Sequence, residues 1–169
     1  MKNLIKIIAQ LSLIMIAGVF QAQVSIGKPS VEGSSILDFA ASTTQGIILP
    51  ATTGFPASPT NGTFIFNRSD AKIYTYEKSA WLALTEGNGN ASSIINNPSA
   101  DVGNGVIMGA ATSSATGVLV LESSNLALTL PKVFQPHLNV KSPYPGMMCY
   151  DTDSNTVAFY DGAYWNYWK

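Results

Sequence analysis

The residues able to do chemistry are few, and they sit late in the chain. His137, the single histidine, lies between Pro136 and Leu138 in a proline-rich stretch. A catalytic histidine needs a nucleophile and an orienting acid converging on it. No Gly-x-Ser-x-Gly or His-Glu-x-x-His pattern accompanies this one, so it reads as structural or exposed. Cys149, the single cysteine, stands between Met148 and Tyr150 in a strand-like segment. A reactive thiol needs accessible, electropositive surroundings; strand alternation here suggests a small buried hydrophobe. An intermolecular disulfide is the sharper alternative in an exported protein. Asp151, Asp153 and Asn155 alternate like the first half of a calcium loop. Such a loop then requires Gly, and Glu at its twelfth position; the chain offers Thr156 and Gly162. A hairpin turn held by Asx side-chain bonds is therefore favoured, with calcium the weaker alternative. Two carboxylates on one tight turn face nothing across a cleft, which disfavours a glycosidase pair. No catalytic residue and no cofactor is expected.

The C-terminus carries a different chemistry. Tyr160, Tyr164, Trp165, Tyr167 and Trp168 crowd into nine positions. Exposed aromatic rings stack on the apolar faces of sugars, and flanking Asp161 and Asn166 offer partners for hydroxyls; the same rings fill cores and subunit interfaces. Trp165 repeats Trp81, as shown below, and reads as a shared core position. Tyr160, Tyr164, Tyr167 and Trp168 are the candidate ligand-binding residues, for a surface glycan or a protein partner.

Composition limits what else the chain can be. Among 169 residues, charged side chains make up 11% and hydrophobic ones 46%, against about a quarter charged in ordinary soluble domains. Nine basic and ten acidic residues give a net charge of −1. That argues against recognition of nucleic-acid phosphates, which needs a clustered basic surface. One Cys and one His exclude a disulfide framework and the common zinc sites. The glycine-rich stretches do not follow a strand and open a helix, so phosphate cradling is not supported.

The first segment reads as an address. Lys2 and Lys6 precede an uncharged apolar run from Ile7 to Phe20, with Ala22 as a small residue for cleavage. This is the plan of a secretory signal peptide over residues 1–22, and the run is short for a membrane span. Cleavage removes two lysines, leaving seven basic and ten acidic residues. The expectation is a mildly acidic exported protein, at the cell surface or extracellular with the periplasm as alternative, and without a membrane span.

The remainder is an internal repeat, which decides the architecture. Val24-Ser25-Ile26-Gly27 reads like Val106-Ile107-Met108-Gly109, displaced by 82 positions. The same displacement sets Ile36-Leu37-Asp38-Phe39 on Val118-Leu119-Val120-Leu121. After a one-residue deletion Leu49-Pro50 falls on Leu130-Pro131. After a three-residue insertion Gly62, Phe66, Tyr76 and Trp81 fall on Gly146, Tyr150, Tyr160 and Trp165. Residues 23–84 form one copy, 106–169 the second, and the Gly-, Asn- and Ser-rich 85–105 a connector in which Ile94 and Ile95 offer a short strand. Each copy ends in three strand-like segments separated by turn formers. Ser34 to Phe39, Gly46 to Leu49, Gly117 to Leu121 and Leu126 to Leu130 read as further short strands, closed by Pro50 and Pro131. No sustained helical stripe follows the leader. The expected class is all-β: two divergent repeats of short antiparallel strands in meanders, with long irregular connections, after an N-terminal signal helix.

The motifs of this unit are Val-Ser-Ile-Gly, Gly46-Ile47-Ile48-Leu49-Pro50, Gly146 to Asn155 with its Tyr-Asp-Thr-Asp-Ser-Asn, and Phe159-Tyr160-Asp161-Gly162-Ala163-Tyr164-Trp165. The unit resembles a module common in exported and surface proteins of Bacteroidetes bacteria, with related closing motifs in phage tail-fibre-like proteins. The closing motif of the second copy carries the resemblance best; in the first copy, Asn67-Arg68-Ser69-Asp70-Ala71 and Lys78-Ser79 depart from it. The Arg-Met pair usual after Leu-Pro is replaced by Ala51-Thr52 and Lys132-Val133. The resemblance implies a structural or adhesive β module without catalytic residues, and association as a homo-oligomer, a trimer in the tail-fibre manner.

Overall fold

The computed structural model describes residues 23–95, 103 and 105–169. The expected signal segment, 1–22, and part of the expected connector lie outside the described residues. The first copy contains β1 (Val24–Ile26), β2 (Ser35–Phe39), β3 (Ile47–Ile48), β4 (Ala51–Thr52), β5 (Thr63–Asn67), β6 (Lys72–Glu77) and β7 (Ala80–Ala83). The second contains β8 (Val106–Met108), β9 (Leu119–Leu121), β10 (Ala127–Leu128), β11 (Lys132–Val133), α1 (Pro136–Asn139), β12 (Met147–Asp151), β13 (Thr156–Tyr160) and β14 (Trp165–Trp168). The described residues are all-β apart from one helical turn.

The two copies reproduce each other in register, not only in outline. Val24 pairs with Leu37 in the parallel pair β1–β2, and Val106 with Leu119 in β8–β9. Thr63 faces Tyr76 and Tyr76 faces Trp81 in the first antiparallel meander. Met147 faces Tyr160 and Tyr160 faces Trp165 in the second. The meanders are antiparallel as their turn spacing requires. The earlier strands add parallel pairs (β1–β2, β4–β5, β8–β9, β10–β2 and β11–β12) that hairpin logic does not supply.

Proline explains how each copy joins its halves. β3 ends before Leu49-Pro50, yet β4 begins at Ala51; β10 ends before Leu130-Pro131, yet β11 begins at Lys132. Without an N–H, proline interrupts a ladder, and here the chain changes sheets across it. β3 pairs antiparallel with β12 of the other copy while β4 pairs with β5. The proline carbonyl is still used: Pro50 accepts from the Phe66 N–H at 2.9 Å, and Pro131 from the Tyr150 N–H at 2.9 Å.

The main core lies between the two meanders. Period-two geometry puts Phe64 and Phe66 on one face of β5. Phe66, Ile73 and Leu84 of the first copy pack in one cluster with Met148 and Phe159 of the second, beside Leu49. A second cluster lies behind the second meander, where Val133 and Val140 cover Met147, Cys149 and Ala158. Truncating a buried ring such as Phe66 to Ala in a core of this kind costs about 3–5 kcal/mol.

Two local expectations are corrected. The proline-rich stretch around His137 is not simply loop: Pro136–Asn139 make a single helical turn, started by Pro at its first position and closed by the Val140 N–H bonding Pro136 C=O. One turn has no periodicity for a sequence pattern to reveal. Ile94 and Ile95 form no strand; Ile94 packs against the main core, and Ile95 is 87% exposed.

Candidate functional site

The richest surface chemistry gathers at the second copy's closing turns. Asp151 ends β12 and is buried. Its Oδ1 accepts from the N–H of Gln135 and of Asp153, both at 3.0 Å, and its Oδ2 from the Ser154 hydroxyl at 2.7 Å. Burial alone would raise this carboxyl, but the bonds from Ser154, Asp153 and Gln135 outweigh it and hold the acid below the usual carboxylate range. The geometry is an Asx turn. Asn67, the matching residue of copy one, makes the same bond, its Oδ1 accepting from the Ser69 N–H at 2.9 Å.

A second buried aspartate holds the last hairpin. Asp161 Oδ1 accepts from the N–H of Ala163 at 2.9 Å and of Tyr164 at 2.6 Å, and Oδ2 from the Asn166 amide at 3.0 Å. Its own carbonyl accepts from the Asn90 N–H at 2.9 Å. The connector is thereby pinned to the turn. Gly162, at φ +95, packs so closely that an added Cβ would lie 1.7 Å from the Asn90 carbonyl oxygen.

The four candidate aromatic residues do not form one surface. Tyr160 leans on Trp165, ring centroids 5.3 Å apart, and both border the second core cluster. Tyr164 is 63% exposed at the hairpin. Tyr167 meets His137 across a 2.9 Å contact between its hydroxyl and Nδ1. Trp168 lies on the opposite face of β14, since strand side chains alternate, and its indole N–H donates to the Leu84 carbonyl at 2.5 Å. Leu84 is the position in copy one that matches Trp168, so this bond ties the two copies together.

Tyr164, Tyr167, His137, Asp153, Ser154 and Trp165 line a shallow open depression. Burial raises the Tyr167 hydroxyl, and the Asp151 carboxylate adds to the shift. The Ser154 hydroxyl bonds Asp151 and Thr156 while the His137 ring meets Tyr167, so the depression offers hydrogen-bonding groups and rings rather than an aligned base and nucleophile. The weaker calcium candidates are also engaged. Asp153 accepts from the Gln135 side-chain amide at 2.9 Å, and Asn155 Oδ1 from the Tyr150 hydroxyl at 3.4 Å. Among the described residues no group of three or more His, Cys, Asp or Glu side chains is placed to hold a metal ion. Cys149 lies in the second core cluster, where burial, then the Asp151 charge, pushes its thiol up to about 12.

The first copy carries charge where the second does not. Asp38, buried on β2, forms an ion pair with Lys28 and accepts from the Glu32 N–H at 2.9 Å and the Phe39 N–H at 2.8 Å. Burial pushes its carboxyl up, but the Lys28 bond and the backbone donors prevail and lower it. The matching residue of copy two is Val120. The Asp38 ion pair leaves no signal in the sequence, whereas the Asp161 turn is announced by its Asp-Gly dipeptide.

With this geometry in hand, comparison with known families gives one result. Residues 25–100 match the model described as a phage tail like trimerisation region. The span begins within β1, covers β2 to β4 and the whole of the first meander, and runs into the connector. Over those residues the chain is similar to phage tail-like trimerisation regions, which supports the tail-fibre relationship. The closing motif of copy two carried the resemblance best, but the match falls on copy one. Comparison with curated proteins and with solved structures gives no match.

Proposed function

We propose that this protein is an exported, non-enzymatic structural component that works as a homotrimer at the cell surface or outside the cell, where it serves adhesion or assembly. One observation carries the reading: the similarity of residues 25–100 to a phage tail-like trimerisation region. The β-repeat fold supports it, because repeats of about 60 residues bury little core alone and gain from neighbours. Sedimentation velocity or light scattering on the purified protein tests it. The expected mass is three chains at micromolar concentration; a stable monomer overturns the trimer. Surface protease accessibility on intact cells tests the location, with full protection counting against a surface role.

A second reading has a specific observation behind it. Tyr164 and Tyr167 present rings beside Asp153 and Ser154 in one open depression, the arrangement that grips a sugar face and its hydroxyls. In a glycan array Tyr164→Ala and Tyr167→Ala should abolish any signal. Trp168→Ala should spare it, because Trp168 faces the other way. An unbound array leaves the structural reading alone.

A further inference from the structure

Matched positions of the two copies differ sharply in burial at one place. Ile36 and Leu37 on β2 are 1% and 2% exposed; their counterparts Val118 and Leu119, before and in β9, are 65% and 43% exposed. The residues are equally apolar, so the difference comes from what covers them. On β2 the edge is taken by β10, which pairs parallel with Ala127 opposite Ser35 and Leu128 opposite Leu37, and Gly109, just after β8, lies against the Ile36 side chain. Among the described residues β9 pairs only with β8, and its second edge has no strand. A two-stranded ribbon is marginal by itself, and an apolar open edge is a template for another strand.

The strand able to fill that edge is the counterpart of β10, namely β3. The Ala127 N–H bonds the Ser34 carbonyl and the Thr129 N–H bonds the Leu37 carbonyl, both toward β2. Amides alternate in direction along a strand. On β3 it is the Leu49 N–H that bonds Gly146 on the β12 side, so the Gly46 and Ile48 N–H groups point the opposite way. β3 and β10 therefore use opposite edges. The edge of β3 left over is the one with which β10 grips β2, and Ile48 is 44% exposed there. β3 also lies inside the span matched by the trimerisation model.

We propose that β3 of one protomer adds in parallel to the open edge of β9 in a second copy of this chain, repeating between chains the β10–β2 pairing made within each. By that equivalence Gly46 lies opposite Gly117 and Ile47 opposite Leu119. The Gly46 N–H donates to the Thr116 carbonyl, the Ile48 N–H to the Leu119 carbonyl, and Val118 and Leu119 leave water. Each chain offers one donor edge and one acceptor edge, so the contact is heterologous, and three such contacts close a ring. The inference rests on the proposed self-association and names its contact.

Single cysteines test it in the full chain. Ile48→Cys and Leu119→Cys replace exposed residues, and the buried Cys149 thiol stays unreactive to maleimide in the folded protein. The two variants are co-expressed, treated with a short bis-maleimide and run on a denaturing gel, alongside each variant alone. Cross-linked pairs from the mixture only, with none from either variant alone, support the junction. Cross-linking of Ile48→Cys alone indicates a symmetric contact and overturns it. A trimeric native mass with no cross-link overturns the junction and leaves the trimer standing, whereas a monomeric mass overturns both. With both cysteines in one chain, a ladder stopping at three chains supports ring closure, and a longer ladder supports the junction while overturning the trimer. Leu119→Asp should weaken association at least tenfold with an unchanged circular dichroism spectrum; an unchanged mass at every dilution counts against the proposal.

Discussion

The two copies share a backbone and divide the chemistry. Thr63 to Tyr76 and Met147 to Tyr160 hold one register, and both closing meanders begin after a positive-φ glycine, Gly62 and Gly146. Yet copy one holds its polar interior with an ion pair, Lys28–Asp38, while copy two holds its turns with buried carboxylates bonded to backbone amides. Copy one turns its last hairpin on Lys78 and Ser79, both at positive φ; copy two uses Asp161 and Gly162. Register here is set by hydrophobic alternation and turn length, which tolerate many side chains. The polar interactions at each position are free to diverge so long as the buried groups stay satisfied.

The sharpest way to break this equivalence is at the matched hairpin positions 78 and 162. Gly162→Ala places a Cβ on the Asn90 carbonyl oxygen at a φ of +95, so both the connector and the turn must move. A loss of about 3 kcal/mol or more is expected, read as a lower urea midpoint. A change below about 1 kcal/mol would mean that the connector is not pinned there. The same substitution in copy one has no such neighbour, because Lys78 is exposed.

The Asx turns come next, Asp151 against Asn67. Asp151→Ala removes the acceptor for four backbone or hydroxyl donors and should cost about 2–3 kcal/mol; Asp151→Asn keeps the geometry found at Asn67 and should cost about 1 kcal/mol. The pH dependence separates them further. The folded-state carboxyls of Asp151 and Asp38 are depressed. Their contribution is therefore present above the ordinary aspartate value of about 3.9 and is lost as pH falls through the lower folded value. Lys28 is raised, so its contribution holds below the ordinary lysine value and fades as pH climbs through the raised one. Urea midpoints from neutral to strongly acidic pH should show a flatter acid limb in Asp151→Asn, with the Asp38 part retained. An unchanged limb would deny Asp151 this role.

The contact between the copies is smaller. Trp168→Phe keeps a ring but removes the N–H that reaches the Leu84 carbonyl, and a loss of about 1 kcal/mol is expected. Thermal denaturation of the variant, compared with Trp81→Phe, shows whether the bond between matched positions matters or only the aromatic volume.

Much of this was legible beforehand for a physical reason. The meanders announce themselves because alternation and turn residues are local: Phe64 and Phe66 on one side, Asp-Gly at 161–162. The repeat displacement even placed Val106 on Val24 and Leu119 on Leu37, the residues that pair. What stayed hidden was non-local. Parallel pairing of β1 with β2 leaves no turn signature, and nothing near Ile47 says that its partner is Met148, about a hundred positions on. The aromatic tail suggested one surface, but strand alternation splits Tyr167 from Trp168. Unequal burial of Leu37 and Leu119 is invisible in the sequence because the residues are the same.

The last comparison runs in the opposite direction, toward gain. The β6–β7 loop is two residues long, and Lys78 and Ser79 lie at φ 49 and 63. A two-residue hairpin with positive φ at both centres is the type I′ geometry, for which Asn-Gly is preferred. Side chains other than Gly, Asn and Asp adopt it at a cost of about 1 kcal/mol each. Both side chains are exposed, so nothing packs against them to repay that cost. Lys78→Asn combined with Ser79→Gly should therefore raise stability by about 1 kcal/mol, with the β5–β6 and β6–β7 registers kept. Urea denaturation measures the gain and amide exchange across Glu77–Ala80 localises it. A loss of stability would show that the Lys-Ser turn makes a compensating contact and that the two hairpins differ by more than their turn residues.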